Sequence, residues 1–159
     1  MTPLAWLLGL LLPACGGIGA DRIPPPPPLD IAHLERPRTP NTALAAPADA
    51  PVRPDMVTPE YPVPPARLLQ AVEQVAETRP RTWRLDPAHD APGTARFVAR
   101  SAVWNFPDIV SVQVLGRGPE ASALALYSRS VYGRSDFGVN RRRLVVWLAA
   151  LDGKLPIER

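Results

Sequence analysis

Sixteen of the 22 prolines in this chain fall within the first 65 residues, and six in the remaining 94. Proline has no amide to donate and holds φ fixed, so a stretch this dense in it suits neither a helix interior nor a central strand. The distribution divides the 159 residues into an early part unfit for a regular core and a later part, from about Pro65, long enough to fold as one small domain. Pro24 to Pro28 reads as a polyproline run, stiff and extended at about 3.1 Å per residue. Residues 21–64 are expected to form a tether, packed against the domain only from about Glu35, with a turn at Asn41.

Ahead of the prolines, Leu4 to Leu12 is an apolar run of signal-peptide length followed by small residues. It is far short of the roughly 20 residues a helix needs to cross a bilayer. Leu12-Pro13-Ala14-Cys15 resembles a bacterial lipobox, and Cys15 is the only cysteine, so it has no intramolecular partner. A thioether-linked diacylglycerol would give that thiol a purpose and hold the mature protein on a membrane. Residues 1–20 are therefore read as a lipoprotein-type signal peptide cleaved before Cys15. The rival is cleavage after Ala20, favoured by Pro13 inside the lipobox and by the absence of Lys or Arg before the run; it would discard Cys15. Either route exports the chain, to the periplasmic side of a membrane or to the soluble periplasm. Net charge is +3 and Lys154 is the only lysine. No basic stripe interleaved with aromatics occurs, and an exported protein does not ordinarily meet nucleic acid, so none is expected as a partner.

From Pro65 the pattern becomes regular. Leu68, Leu69, Val72, Val75 and Ala76 recur at helical spacing until Pro80. Strands are expected over Thr82–Leu85, Ala95–Trp104, Ile109–Leu115 and Ala121–Ser130, where Val110, Val112 and Val114 alternate with Ser111 and Gln113. On the last strand Leu124 and Leu126 face one way, Tyr127 and Arg129 the other. A closing helix is expected over Phe137–Leu151, capped by Ser135 or Asp136, with Phe137, Leu144, Leu148 and Leu151 buried beside Val145. The expectation is an α+β domain over 65–152 followed by a tail, 153–159. It would be a two-layer sandwich of α-β-β-β-β-α order, its antiparallel sheet of about four strands flanked by both helices. Trp83, Phe97, Trp104, Phe106 and Trp147 read as core, or as the lining of an apolar cavity.

The stretch Tyr127 to Arg143, YSRSVYGRSDFGVNRRR, with LVVWLAAL after it, resembles the signature of the bacterial domain of unknown function 1499 family, DUF1499. Arg36–Pro47 and Asn105-Phe-Pro-Asp108 fit the same family in order, so the resemblance covers about Glu35 to Leu151. The chain departs from the family at Ile109, where a second acid is usual, and at Val131–Tyr132, where a basic residue is frequent. The family label implies no activity. Asp108, Tyr127, Arg129, Ser130, Gly133, Arg134, Ser135, Asp136, Asn140 and Arg143 are the candidate polar cluster.

Two readings of that cluster stay open. Arg134 and the Arg141–Arg143 run could receive an anion with the amides of a helix start. Alternatively Asp136 and Asp108 pair with arginines and pin the helix to the strand loop. Ser135, Asp136 and the distant His89 could be drawn as a hydrolase, but His89 lies in a turn-rich loop and Ser135 in no strained elbow. His33, His89 and one cysteine give no metal spacing, no glycine loop cradles a phosphate, and no cofactor is expected. The chain is thus read as a non-catalytic binding or scaffold module of the cell envelope that meets a partner protein through Tyr127–Arg143. The alternative is a small carrier of an apolar ligand or lipid.

Overall fold

The structure is a computed structural model and describes residues 17–155. The apolar run Leu4–Leu12 and the processing site at Cys15 lie outside the described residues. Three strands form inside the stretch expected as a tether: β1 (Thr42–Ala46), β2 (Met56–Val57) and β3 (Glu60–Tyr61). There follow α1 (Pro65–Glu77), β4 (Thr82–Arg84), β5 (Thr94–Arg100), β6 (Pro107–Gly116), β7 (Ser122–Ser130) and α2 (Val139–Asp152).

The fold is mixed α+β, but the four-strand order is corrected. The sheet has seven strands on the path β2-β1-β7-β6-β5-β4, with β3 also paired to β7. β1 runs antiparallel to β7, with Leu44 opposite Tyr127, and parallel to β2. β4 to β7 form the expected antiparallel meander.

One face of the sheet is covered by the two helices. Leu68, Ala71, Val72 and Val75 of α1, with Leu144, Trp147 and Leu151 of α2, pack on Phe97, Val110, Val112, Leu124 and Leu126. Phe97 and Trp147 meet edge to face, centroids 5.6 Å apart. α2 begins two residues later than its periodicity predicts. Phe137 takes a left-handed φ of 53°, is 88% exposed and leaves the expected buried face, as does Val145. Trp83, Trp104 and Phe106 are likewise exposed rather than core.

The other face is covered by the proline-rich segment, which corrects its reading as a tether. Ile23, Leu29 and Ile31 are no more than 6% exposed and pack on Leu44, Val98, Ile109 and Tyr127. A polyproline segment makes no internal hydrogen bonds, so its carbonyls need donors from elsewhere. The sheet supplies them. Arg96, 2% exposed, donates to the Pro26 carbonyl and, at 3.2 Å, to that of Asp86, and forms an ion pair with Asp90 at 2.8 Å. Arg100 donates to the carbonyls of Gly19 (2.7 Å) and Asp21 (3.3 Å). In the opposite sense the Ile31 amide donates to Gln113 Oε1 at 2.8 Å. Residues 17–40 therefore form a strap, and the sheet lies between two covers of different kind.

Candidate functional site

The signature stretch divides at β7, because successive strand residues face opposite sides. Ser128 and Ser130 point toward α2 and Tyr127 and Arg129 toward the strap. Two separate constellations result.

The first is a buried polar network that ties α2 to the sheet. Asn140, fully buried in the first turn of α2, donates through Nδ2 to the Asn41 carbonyl (3.0 Å) and Ser130 Oγ (3.1 Å). Its Oδ1 accepts from Ser128 Oγ (2.5 Å) and Arg143 (2.7 Å). Arg143 also donates to Ser128 Oγ and forms an ion pair with Asp108 at 2.6 Å, the acid being 7% exposed. Asn41 closes the ring by donating to the Gly133 carbonyl at 2.8 Å, where Gly133 adopts a φ of 85° that favours glycine. Every polar atom of the Asn140 side chain is thus used, as burial demands.

Asp136 accepts from the amides of Gly138 (2.9 Å) and Asn140 (2.7 Å) and so occupies the anion position at the start of α2. It pairs with no arginine among the described residues, which corrects half of the pairing expectation; Asp108 keeps the expected partner. Arg142 donates to the Phe137 carbonyl at 2.9 Å. Ser135 accepts a long 3.4 Å bond from the Phe137 amide, and Arg134 lies exposed beside it. His89 pairs with Asp86 in the β4–β5 connection, at the end of the sheet away from Ser135, so these residues do not assemble as a hydrolytic set.

The second constellation is a cleft of about 800 Å³ between the strap and the sheet. Its walls are Pro26–Leu29, Leu34 and Pro37, and its floor is Ser111, Tyr127, Arg129 and Ser130. On the lining His33 pairs with Asp30 at 2.7 Å and Arg36 pairs with Asp55 at 2.6 Å. Half-buried Arg129 has no side-chain hydrogen bond or ion pair among the described residues. The Tyr127 hydroxyl is pushed above its usual range by burial, against the Thr42 hydroxyl and the Arg129 and Arg36 charges that pull it down. Reasoning from sequence missed Arg36, Thr42 and Asn41 as members of this region. All three belong to Arg36–Pro47, one of the segments that carries the family resemblance.

No curated protein matches the chain significantly. Among solved structures, the crystal structure of TTHA0849 from Thermus thermophilus aligns over 71% of this chain and 95% of that one, at 12% identity and a TM-score of 0.35. That likeness is too loose to bear on fold or function. The family model described as protein of unknown function, DUF1499, matches residues 34–151, from the last turn of the strap through the cleft floor and the network to the end of α2, and the chain belongs to that family.

Proposed function

We propose that the protein is an exported, membrane-anchored binding module of the bacterial envelope, without catalytic machinery, which takes up an amphiphile bearing an anionic group in the cleft beneath the strap. Export and anchoring rest on Leu4–Leu12 and on Cys15 in its lipobox-like setting. The binding role rests on one observation, the half-buried Arg129 on the cleft floor with no acid paired to it among the described residues. A guanidinium partly removed from water loses hydration that nothing else replaces, and a carboxylate or phosphate returns it through paired hydrogen bonds. The prolines, Leu29, Leu34 and the Tyr127 ring offer an apolar wall to the rest of such a ligand, and the volume suits a small molecule. Ser128 and Ser130, held in the network behind it, fix the strand from which Arg129 projects. The cleft is preferred to a partner-protein surface at Tyr127–Arg143 because Tyr127, Ser128 and Asn140 of that stretch lie inside the fold, out of a partner's reach.

Native mass spectrometry of the processed chain, extracted gently after export, tests the reading. The expected result is a stoichiometric adduct that leaves on denaturation and is lost in Arg129→Gln. The variant should melt within about 0.5 kcal/mol of the parent, since no side-chain hydrogen bond or ion pair among the described residues is removed. A clean apo mass in both proteins would sink the ligand. For the anchor, intact mass and membrane fractionation of Cys15→Ser should change together; identical behaviour with and without the thiol would sink lipidation.

A further inference from the structure

The end of the sheet where β6 starts and β7 finishes carries a surface used by neither the network nor the cleft. Three segments meet there: residues 17–22 of the strap, the β5–β6 turn 101–106 and the β7–α2 loop 131–138. Ile18, Val103, Trp104, Phe106 and Phe137 stand out from them, with Val103 81% and Trp104 61% exposed. These side chains sit on an ordered frame. Arg100 holds the Gly19 carbonyl (2.7 Å) and the Asn105 carbonyl (3.1 Å), Asn105 Nδ2 donates to the Gly17 carbonyl (3.0 Å), and the Val131 amide donates to the Pro107 carbonyl (3.1 Å). Gly19 lies against the indole of Trp83.

Large apolar side chains gathered at one exposed end mark a contact surface. Its charge is basic: Arg22, Arg81 and Arg134 are exposed here, Asp136 is engaged by the amides of α2, and Asp21 is the acid left to solvent in these three segments. Tryptophan among arginines suits the headgroup layer of an anionic bilayer, which takes the indole at its interface and draws cations to its surface. The position of the chain favours a bilayer over a protein. The described residues begin at Gly17 on this very end, two residues after Cys15 and shortly after the apolar run Leu4–Leu12. Because residues 17–22 are fastened to the body, an anchor at Cys15 leaves only about 7 Å of free chain.

We infer that this end of the domain docks on an anionic phospholipid bilayer, seating Val103, Trp104 and Phe137 among the headgroups. The domain then lies on the membrane instead of hanging from it. The inference rests on the anchored reading above, and its test separates the two. Full-length exported protein carrying Val103→Cys, or Glu120→Cys in the hairpin at the opposite end, is labelled with an environment-sensitive fluorophore. It is then placed in vesicles of phosphatidylethanolamine and phosphatidylglycerol containing a nitroxide lipid. A lipidated Cys15 leaves the introduced thiol as the only free one, and Cys15→Ser does the same in an unanchored chain. The expected result is quenching at 103 about fivefold stronger than at 120, as for a side chain held at the acyl boundary. Trp104→Asp should remove the difference while the melting curve stays unchanged. Equal quenching at the two positions in a chain shown by mass to be lipidated overturns the docking and leaves the anchor standing. Selective quenching at 103 in the Cys15→Ser chain upholds the docking even where the anchor fails. A blue-shifted label at 103 without vesicles overturns it in favour of protein covering the patch.

Discussion

The two faces of the sheet are closed in opposite ways. On one, α1 and α2 satisfy their own backbones and need present only side chains, so Leu124, Val112 and Phe97 meet Leu68, Val75 and Trp147 in an apolar seam. On the other, the strap brings carbonyls without partners, and the sheet answers with buried charge at Arg96 and Arg100 among smaller apolar clusters. A helix can be held by hydrophobic burial alone. A polyproline cover needs the sheet beneath it to donate hydrogen bonds. It also seals less completely: the cleft at Tyr127 and Arg129 is about 800 Å³, against about 290 and 300 Å³ for two pockets beside the helices.

Arg96→Met should break the comparison most. It strips the donor from Pro26 and leaves Asp90, at 8% side-chain exposure, with Arg84 alone. Breaking a buried ion pair costs about 3–5 kcal/mol. Urea denaturation should show a loss of that size, comparable to the ~2–5 kcal/mol expected of Leu124→Ala on the helix face. Limited proteolysis should cut Arg96→Met first near Arg22. A change under about 1 kcal/mol, on the order of a surface edit, would mean that apolar contacts alone hold the strap.

Asn140→Ala tests the joint between the two covers, because this side chain binds both the chain just beyond the strap, at Asn41, and the sheet. Ser128 and Arg143 lose an acceptor and the Asn41 carbonyl a donor, for an expected loss of about 2–3 kcal/mol by the same denaturation. Asp136→Ala removes only the acceptor for the first amides of α2, and about 1 kcal/mol should go. If the two variants prove equally costly, the joint is no more than a helix cap.

The smallest effect is alkaline. Tyr61, fully buried on the helix face with its hydroxyl 3.2 Å from Asp152, is held well above the ordinary value of 10.0 by burial first and by the Asp152 charge second. Tyr127 on the strap face is also raised, by burial. Each folded phenol keeps its proton more tightly than the unfolded one. Stability is therefore full below about pH 10, the unfolded phenol's range, and declines as pH rises above it. Melting between about pH 9 and 11 should fall less steeply in Tyr61→Phe than in the parent, and the cationic surroundings of Tyr127 should make Tyr127→Phe the weaker of the two. The reverse order would mean that the strap face is the drier one.

What was legible in the sequence follows from period. The apolar repeat of α1 and the alternation in β6 and β7 point to their elements because each buries one face. β1 escaped because Thr42-Ala-Leu-Ala-Ala46 is buried on both sides, carries no alternation, is rich in alanine and lies between prolines; β2 and β3 have two residues each. The Asp108–Arg143 pair spans 35 positions and came within reach because both residues lie in segments that carry the family resemblance. The Asn140–Asn41 bond spans 99 positions and has no local signal. Trp104 and Phe106 were read as core by residue type, and only the turn that carries them outward decides otherwise. The signature stretch itself was correctly singled out, yet its split into two constellations depends on the pleat of one strand.

β1 lies near the start of the chain, while the strand that receives it, β7, and the residues that lock Asn41, Gly133 and Asn140, lie near its end; the strap docks on β5 and β6 between them. Contacts between such distant positions set a slow pace for folding. As the chain is made, the strap has nothing to dock on until β5 and β6 exist, and β1 lacks its antiparallel partner until β7 is complete. The meander of β4 to β7 must assemble first, with α2 beside it, and the strap closes over it last. A polypeptide with this ordering stays unfolded while it is short, the condition under which a chain can still be threaded through a narrow pore.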